Sequence, residues 1–150
     1  MKAHYAKGPS RTCLLIGLLL AVLSSDLRAD CTVTAGPVVF GNYNPFALQS
    51  LDSAGTINVS CTPSSNYTLS LSTGGGSYAQ RQLSGSGDVL YYNLYTSASR
   101  TAIWGDGSGG SGTVSGSGEE ENHTVYGRIA AQQNVKVGSY GDSIIVTVTF

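Results

Sequence analysis

Past the first thirty residues, apolar side chains recur at every second position, in short runs. In Thr56-Ile57-Asn58-Val59-Ser60-Cys61, the residues Ile57, Val59 and Cys61 share one face, and in Tyr67-Thr68-Leu69-Ser70-Leu71 the residues Tyr67, Leu69 and Leu71 do. Leu90-Tyr91-Tyr92-Asn93-Leu94-Tyr95 and His123-Thr124-Val125-Tyr126-Gly127-Arg128-Ile129 read as further strands, and Thr101-Ala102-Ile103-Trp104 as a short one. Two early runs, Thr32-Val33-Thr34-Ala35 and Val38-Val39-Phe40, flank Gly36-Pro37, and a last one fills residues 142–150. A period of two marks strands with one buried face, and the Gly, Ser, Asn and Pro clusters between them mark turns. No segment has a helical period and no unit repeats, so about seven short strands predict an all-β sandwich.

The final run has a particular problem. Ile144, Val146, Val148 and Phe150 share a face, and residues 143–150 contain no charge and no proline. Such a strand is an aggregation hazard at a sheet edge, so another strand is expected to cover it. Two connections look open by composition. Residues 72–88 are polar and contain Gly74-Gly75-Gly76, and residues 105–118 are almost entirely Gly and Ser. Both are expected to be mobile loops, the second an insertion between strands.

The N-terminus changes the domain count. Lys2, Lys7 and Arg11 precede a charge-free apolar run, Cys13-Leu14-Leu15-Ile16-Gly17-Leu18-Leu19-Leu20-Ala21-Val22-Leu23. It is shorter than the roughly 20 residues a bilayer span needs, so it reads as an export signal, with no membrane insertion of the rest. Residues 1–29 are assigned to the signal peptide and 30–150 to one domain. Leu27 is a poor residue at the third position before a cleavage after Ala29, which leaves Ser24 and Ser25 as alternatives.

Removing that leader shifts the charge. The whole chain carries −1, but the mature part keeps only Arg81, Arg100, Arg128 and Lys136 against eight acids, a net charge near −4. That excludes a basic nucleic-acid footprint. Cys13 leaves with the leader, and the remaining pair, Cys31 and Cys61, is expected to form a disulfide in an exported chain.

Little of the chain suggests catalysis or a cofactor. His123 is the one histidine after the leader, and no Gly-x-Ser-x-Gly turn leads into a helix, so no catalytic residue is assigned. Asp106, Glu119, Glu120 and Glu121 lack the spacing of a calcium loop, so no metal or cofactor is expected. Trp104, beside the Gly-rich stretch, is the candidate for an exposed contact. Arg128, between Tyr126 and Ile129, is expected to pair with an acid inside the sandwich.

Seven segments taken in order resemble the spore coat protein U domain family, which includes subunits of archaic chaperone–usher pili. They are Cys31-Thr-Val, Ile57-Asn-Val-Ser-Cys61, Tyr67-Thr-Leu-Ser-Leu-Ser-Thr-Gly74, Leu90-Tyr-Tyr-Asn-Leu-Tyr95, Ile103-Trp-Gly-Asp-Gly107, Thr124-Val-Tyr-Gly-Arg-Ile129 and Gly138-Ser-Tyr-Gly-Asp-Ser-Ile-Ile-Val-Thr-Val-Thr-Phe150. The resemblance implies an immunoglobulin-like sandwich lacking its final strand. A periplasmic chaperone would fill that gap, and another pilus or coat subunit would replace it at an outer-membrane usher, by β-augmentation. The implied accepting groove is lined by Val38, Phe40, Ile144, Val146, Val148 and Phe150, with Phe150 as a chaperone handle. The implied destination is the cell surface, a pilus or a spore coat, reached through the periplasm. Cleavage after Ala29 would leave no donor segment before Cys31, which implies a tip or fibre-end subunit. The other reading is a tip adhesin that binds a surface or glycan through residues 72–88 and 105–118.

Overall fold

The computed structural model describes residues 29–150, so the expected signal peptide lies, except for Ala29, outside the described residues. Seven strands are present: β1 (Asp30–Ala35), β2 (Leu51–Leu71), β3 (Gly75–Gly76), β4 (Arg81–Gly85), β5 (Asp88–Tyr95), β6 (Val114–Ile129) and β7 (Val146–Thr149). No helix occurs among the described residues. The hydrogen-bonded order is β1-β2-β6-β5-β4-β3, with β7 also joined to β2, and every pairing is antiparallel.

The sandwich is one continuous sheet curled around its core, because two strands are long enough to pass through both layers. β2 has 21 residues and β6 has 16. Their ladder runs from Leu51↔Ile129 to Ser60↔Glu120, breaks, and resumes from Ser65↔Gly118 to Leu69↔Val114. An interruption of this kind bends a strand and strengthens its twist, which lets one strand serve two layers. On its other edge β2 pairs with β1 over Ile57–Thr62 and with β7 over Thr68–Leu71.

The alternation read from the sequence becomes the core. Ile57, Val59, Cys61, Tyr67, Leu69 and Leu71 of β2 meet Leu90, Tyr92 and Leu94 of β5 and Val125 and Ile129 of β6, all buried. Each fully buried aliphatic contributes about 1.5–3 kcal/mol of transfer free energy. The expected disulfide is present: Cys31 and Cys61 face each other in the β1–β2 register and are bonded. Closing a loop with a sequence separation of 30 contributes about 3–4 kcal/mol in the chain-entropy picture.

Several local expectations are corrected. Residues 72–88 are not an open loop but carry β3 and β4, because Arg81 is drawn into the core. It is fully buried, and its guanidinium donates to Ser72 O (2.8 Å), Trp104 O (2.8 Å) and Asn93 Oδ1 (2.7 Å). Burial lowers its pKa from the usual arginine value. Residues 114–118 of the Gly/Ser stretch are strand, because residues 65–69 of β2 supply them with partners. The rest is tied by Gly105 N to Gly112 O (2.8 Å), Gly112 N to Ile103 O (2.9 Å) and Ser111 N to Ser108 O (2.9 Å).

Trp104 is not an exposed contact. It is 1% exposed, its Nε1 donates to Leu69 O (3.2 Å), and its ring packs edge-on against His123. Arg128 does find an acid, but on the outer face: Nε and Nη2 donate to the two oxygens of Asp52 at 2.7 and 2.8 Å. Finally, Val38-Val39-Phe40 is not a strand, and residues 142–145 stay outside β7.

Candidate functional site

That last departure marks the site. After β1, the turn at Gly36-Pro37 carries the chain from the β2 edge onto the inner face of the sheet. Gly36 N still bonds Thr56 O (2.8 Å), but Val38 and Phe40 then lie over two glycines. A methyl group on Gly127 would come within 2.7 Å of Val38 Cγ1 and Phe40 Cζ, and one on Gly55 within 2.9 Å of Val38 Cγ2. Glycine at both positions is what permits the close approach. Phe40 stacks edge-on against Tyr92, with ring centroids 5.9 Å apart.

Facing this segment is the chain entering β7. Asp142, Ile144 and Val146 alternate inward, and Ser143 and Ile145 outward. Between the two rims is a cleft of about 370 Å³, walled by Val38, Phe40, Ile144 and Val146 and floored by core residues such as Ile57, Leu94 and Val125. A second hollow of about 720 Å³ continues it between residues 38–45 and 135–142. The two share Val38, Phe40, Leu83 and Asp142, so they form one groove with a waist.

Both rims have backbone to spare. Among the described residues, 37–43 and 134–140 make no backbone–backbone hydrogen bond. Side chains cover a few groups: Ser53 Oγ donates to Val39 O, Asp88 Oδ2 accepts from Lys136 N (3.3 Å), and Tyr140 Oη donates to Lys136 O (2.8 Å). Most residues of both rims are exposed, so the remaining groups are open to water or to a further strand.

Of the six groove residues inferred from the sequence, the structure brings four together. Val38, Phe40, Ile144 and Val146 line the cleft. Val148 and Phe150 do not, because by residue 148 the strand has paired with Leu69 of β2 and left the rim. Val148 packs on the core, while Phe150 is 56% exposed and borders a separate hollow with Asn66, Tyr67 and Glu121. In that hollow Tyr67 Oη donates to Glu121 Oε2 (2.8 Å) and also lies 2.8 Å from His123 Nε2. The Tyr67 hydroxyl has one proton, so Nε2 is the donor in the second bond. Burial, reinforced by the Glu121 carboxylate, pushes the Tyr67 hydroxyl up to about 12. The same bond holds Glu121 below the usual carboxylate value.

Asp142 was missed in the sequence, although its parity with Ile144 and Val146 places it on the inward face. Its Oδ1 accepts from Gly75 N (2.9 Å) and Ser143 N (2.7 Å), and its Oδ2 from Tyr92 Oη (2.7 Å). Desolvation, with Asp142 adding to it, drives the Tyr92 hydroxyl far above its ordinary value.

Known proteins share this plan. The Spore Coat Protein U domain model matches residues 18–147. Protein U of Myxococcus xanthus is 33% identical, over 77% of this chain and 72% of its own length. The fold is also that of a chain in the crystal structure of the CsuC–CsuE chaperone–tip adhesion subunit pre-assembly complex, from archaic chaperone–usher Csu pili of Acinetobacter baumannii. That match has a TM-score of 0.60 at 21% identity and covers 82% of this chain but 40% of the other. This chain is therefore a member of the Spore Coat Protein U domain family.

Proposed function

We propose that the chain is a secreted structural subunit of a bacterial surface fibre or coat, and that its groove accepts an extended segment of another protein. A periplasmic chaperone would supply that segment first, and a neighbouring subunit would replace it at an outer-membrane usher. One observation carries the reading: residues 37–43 and 134–140, without backbone–backbone hydrogen bonds, face each other along a groove whose narrower end has an apolar floor, and the chain itself supplies no strand between them among the described residues. A strand laid there would gain main-chain hydrogen bonds at its edges and bury apolar side chains on the floor, which is β-augmentation. A relative of the fold was crystallised in a chaperone–tip adhesion subunit pre-assembly complex, which supports a chaperone as the first partner, and function would lie in strand edges rather than in a reacting group.

The test compares the exported chain with the same chain carrying a donor peptide, taken from the N-terminus of a neighbouring subunit, fused after Phe150. The bare chain is expected to melt low or aggregate, and the fusion to be a stable monomer. A bare chain that is already a stable monomer, indifferent to the peptide, would overturn the proposal.

A further inference from the structure

We infer that Asp142 reads the middle of the inserted strand, selecting a side chain that donates a hydrogen bond and rejecting both acidic and large apolar ones. The inference rests on the groove being a strand acceptor. Its own basis is the waist. Phe40 from one rim and Asp142 from the other both reach Tyr92, by ring contact at 5.9 Å and by hydrogen bond at 2.7 Å. Phe40 and Asp142 line both hollows, and Tyr92 lines the smaller one beside them.

The smaller cleft is mainly apolar, with Ile144, Val146 and Ile57, and the larger one sets Val135 and Ile129 among polar groups that include Asn42, Ser139 and Lys136. Alternate side chains of a strand lying there would enter both clefts. The residue between them would meet a carboxylate instead. A carboxylate accepts about four hydrogen bonds, and Asp142 receives three from Gly75, Ser143 and Tyr92 among the described residues. One acceptor position, on Oδ2, is left for a ligand.

A leucine over that oxygen would strip its water and return nothing, and a glutamate would add like charge at close range. Serine, threonine, asparagine or lysine would complete the carboxylate. The occupant is thus an extended segment of another polypeptide, apolar at alternate positions but interrupted once by a donor-bearing residue. Apolar strands without that interruption, and acidic ones, would be turned away.

The experiment uses nonapeptides with alternate apolar residues, each inward position varied in turn among Ser, Lys, Leu and Glu. Binding to the exported chain is measured by competition against one labelled peptide. At a single inward position Ser and Lys should bind at least about tenfold more tightly than Glu or Leu, the size expected of a hydrogen bond to a charged group. Asp142→Asn keeps the shape and removes the charge, and should shrink the Ser-to-Glu ratio to about threefold or less, since neutral partners bind about half as strongly. Should that variant fail to fold, salt decides: 1 M salt should narrow the Lys-to-Glu ratio in the native chain, because screening acts within about 3 Å there. Equal binding at every position, or a preference that survives both Asp142→Asn and salt, overturns the inference. If no peptide binds at all, the strand-acceptor reading itself has failed.

Discussion

The two flanks of the β2–β6 pair are finished differently. On one, the β4 and Trp104 segments close over the core, and the polar groups they bring are matched. Arg81 uses Ser72, Trp104 and Asn93, and Trp104 uses Leu69. On the other, Val38 and Phe40 face Ile144 and Val146 across an open floor, and among the described residues the adjoining stretches 37–43 and 134–140 make no backbone–backbone hydrogen bond. Sequence character does not separate these flanks, since both are lined by alternating apolar residues. What separates them is closure of the backbone: one flank is complete within the chain, and the other has room for a strand.

The largest effect is expected on the closed flank. Arg81→Leu would leave the Ser72 and Trp104 carbonyls without their donor inside the core and take one of two donors from Asn93 Oδ1, which keeps Leu94 N. Each buried acceptor left unsatisfied costs about 1–3 kcal/mol, so a denaturation midpoint should fall sharply or the folded chain should be lost. A midpoint within error of the native one would show that this flank is not what holds the fold.

A smaller effect, and one that sharpens the contrast, belongs to the open flank. Ile144→Ser should alter the bare chain by less than about 1 kcal/mol, because Ile144 is only half-buried without an occupant. Donor-peptide affinity, read by titration, should nevertheless drop about tenfold, the loss of roughly 1.4 kcal/mol of burial gained only on binding. Equal losses in stability and affinity would mean that the rim is already packed.

The smallest effect lies on neither flank. Asp52 is bonded by Arg128 and lies 3.2 Å from Arg100 on the outer surface, and Asp52→Asn should cost no more than about 1 kcal/mol. The Arg128 guanidinium holds the Asp52 carboxyl below its ordinary 3.8. A group with a depressed folded pKa stabilises above the unfolded value and ceases to as pH falls through the folded one. The difference between native and variant midpoints should thus be steady above pH 3.8 and close below it.

What could be read from the sequence follows from how local its cause is. Ile57, Val59 and Cys61 were legible because a buried face imposes period two on the strand itself. Residues 114–118 were not, since Ser115, Gly116 and Ser117 have no strand preference of their own and take that state from pairing with β2. Trp104 was misread for a related reason: its partners, Arg81 and Leu69, are 23 and 35 residues away. Val38 and Phe40 were legible as apolar, yet not as unpaired, because a strand pattern does not say whether its partner is in the chain. Asp142 was legible by parity with Ile144, but its neighbours Tyr92 and Gly75 give it meaning only in three dimensions.

The central claim is that the rims at residues 37–43 and 134–140 are bare backbone awaiting a strand. Amide hydrogen exchange across the exported chain, alone and with donor peptide bound, tests it most directly. In the bare chain the amides of Val38, Val39, Phe40, Val137 and Ser139 should exchange freely while those of β2 and β6 are protected, and bound peptide should protect a subset of the rim amides on each side. Rim amides already protected in the bare chain, or unchanged by bound peptide, would contradict it.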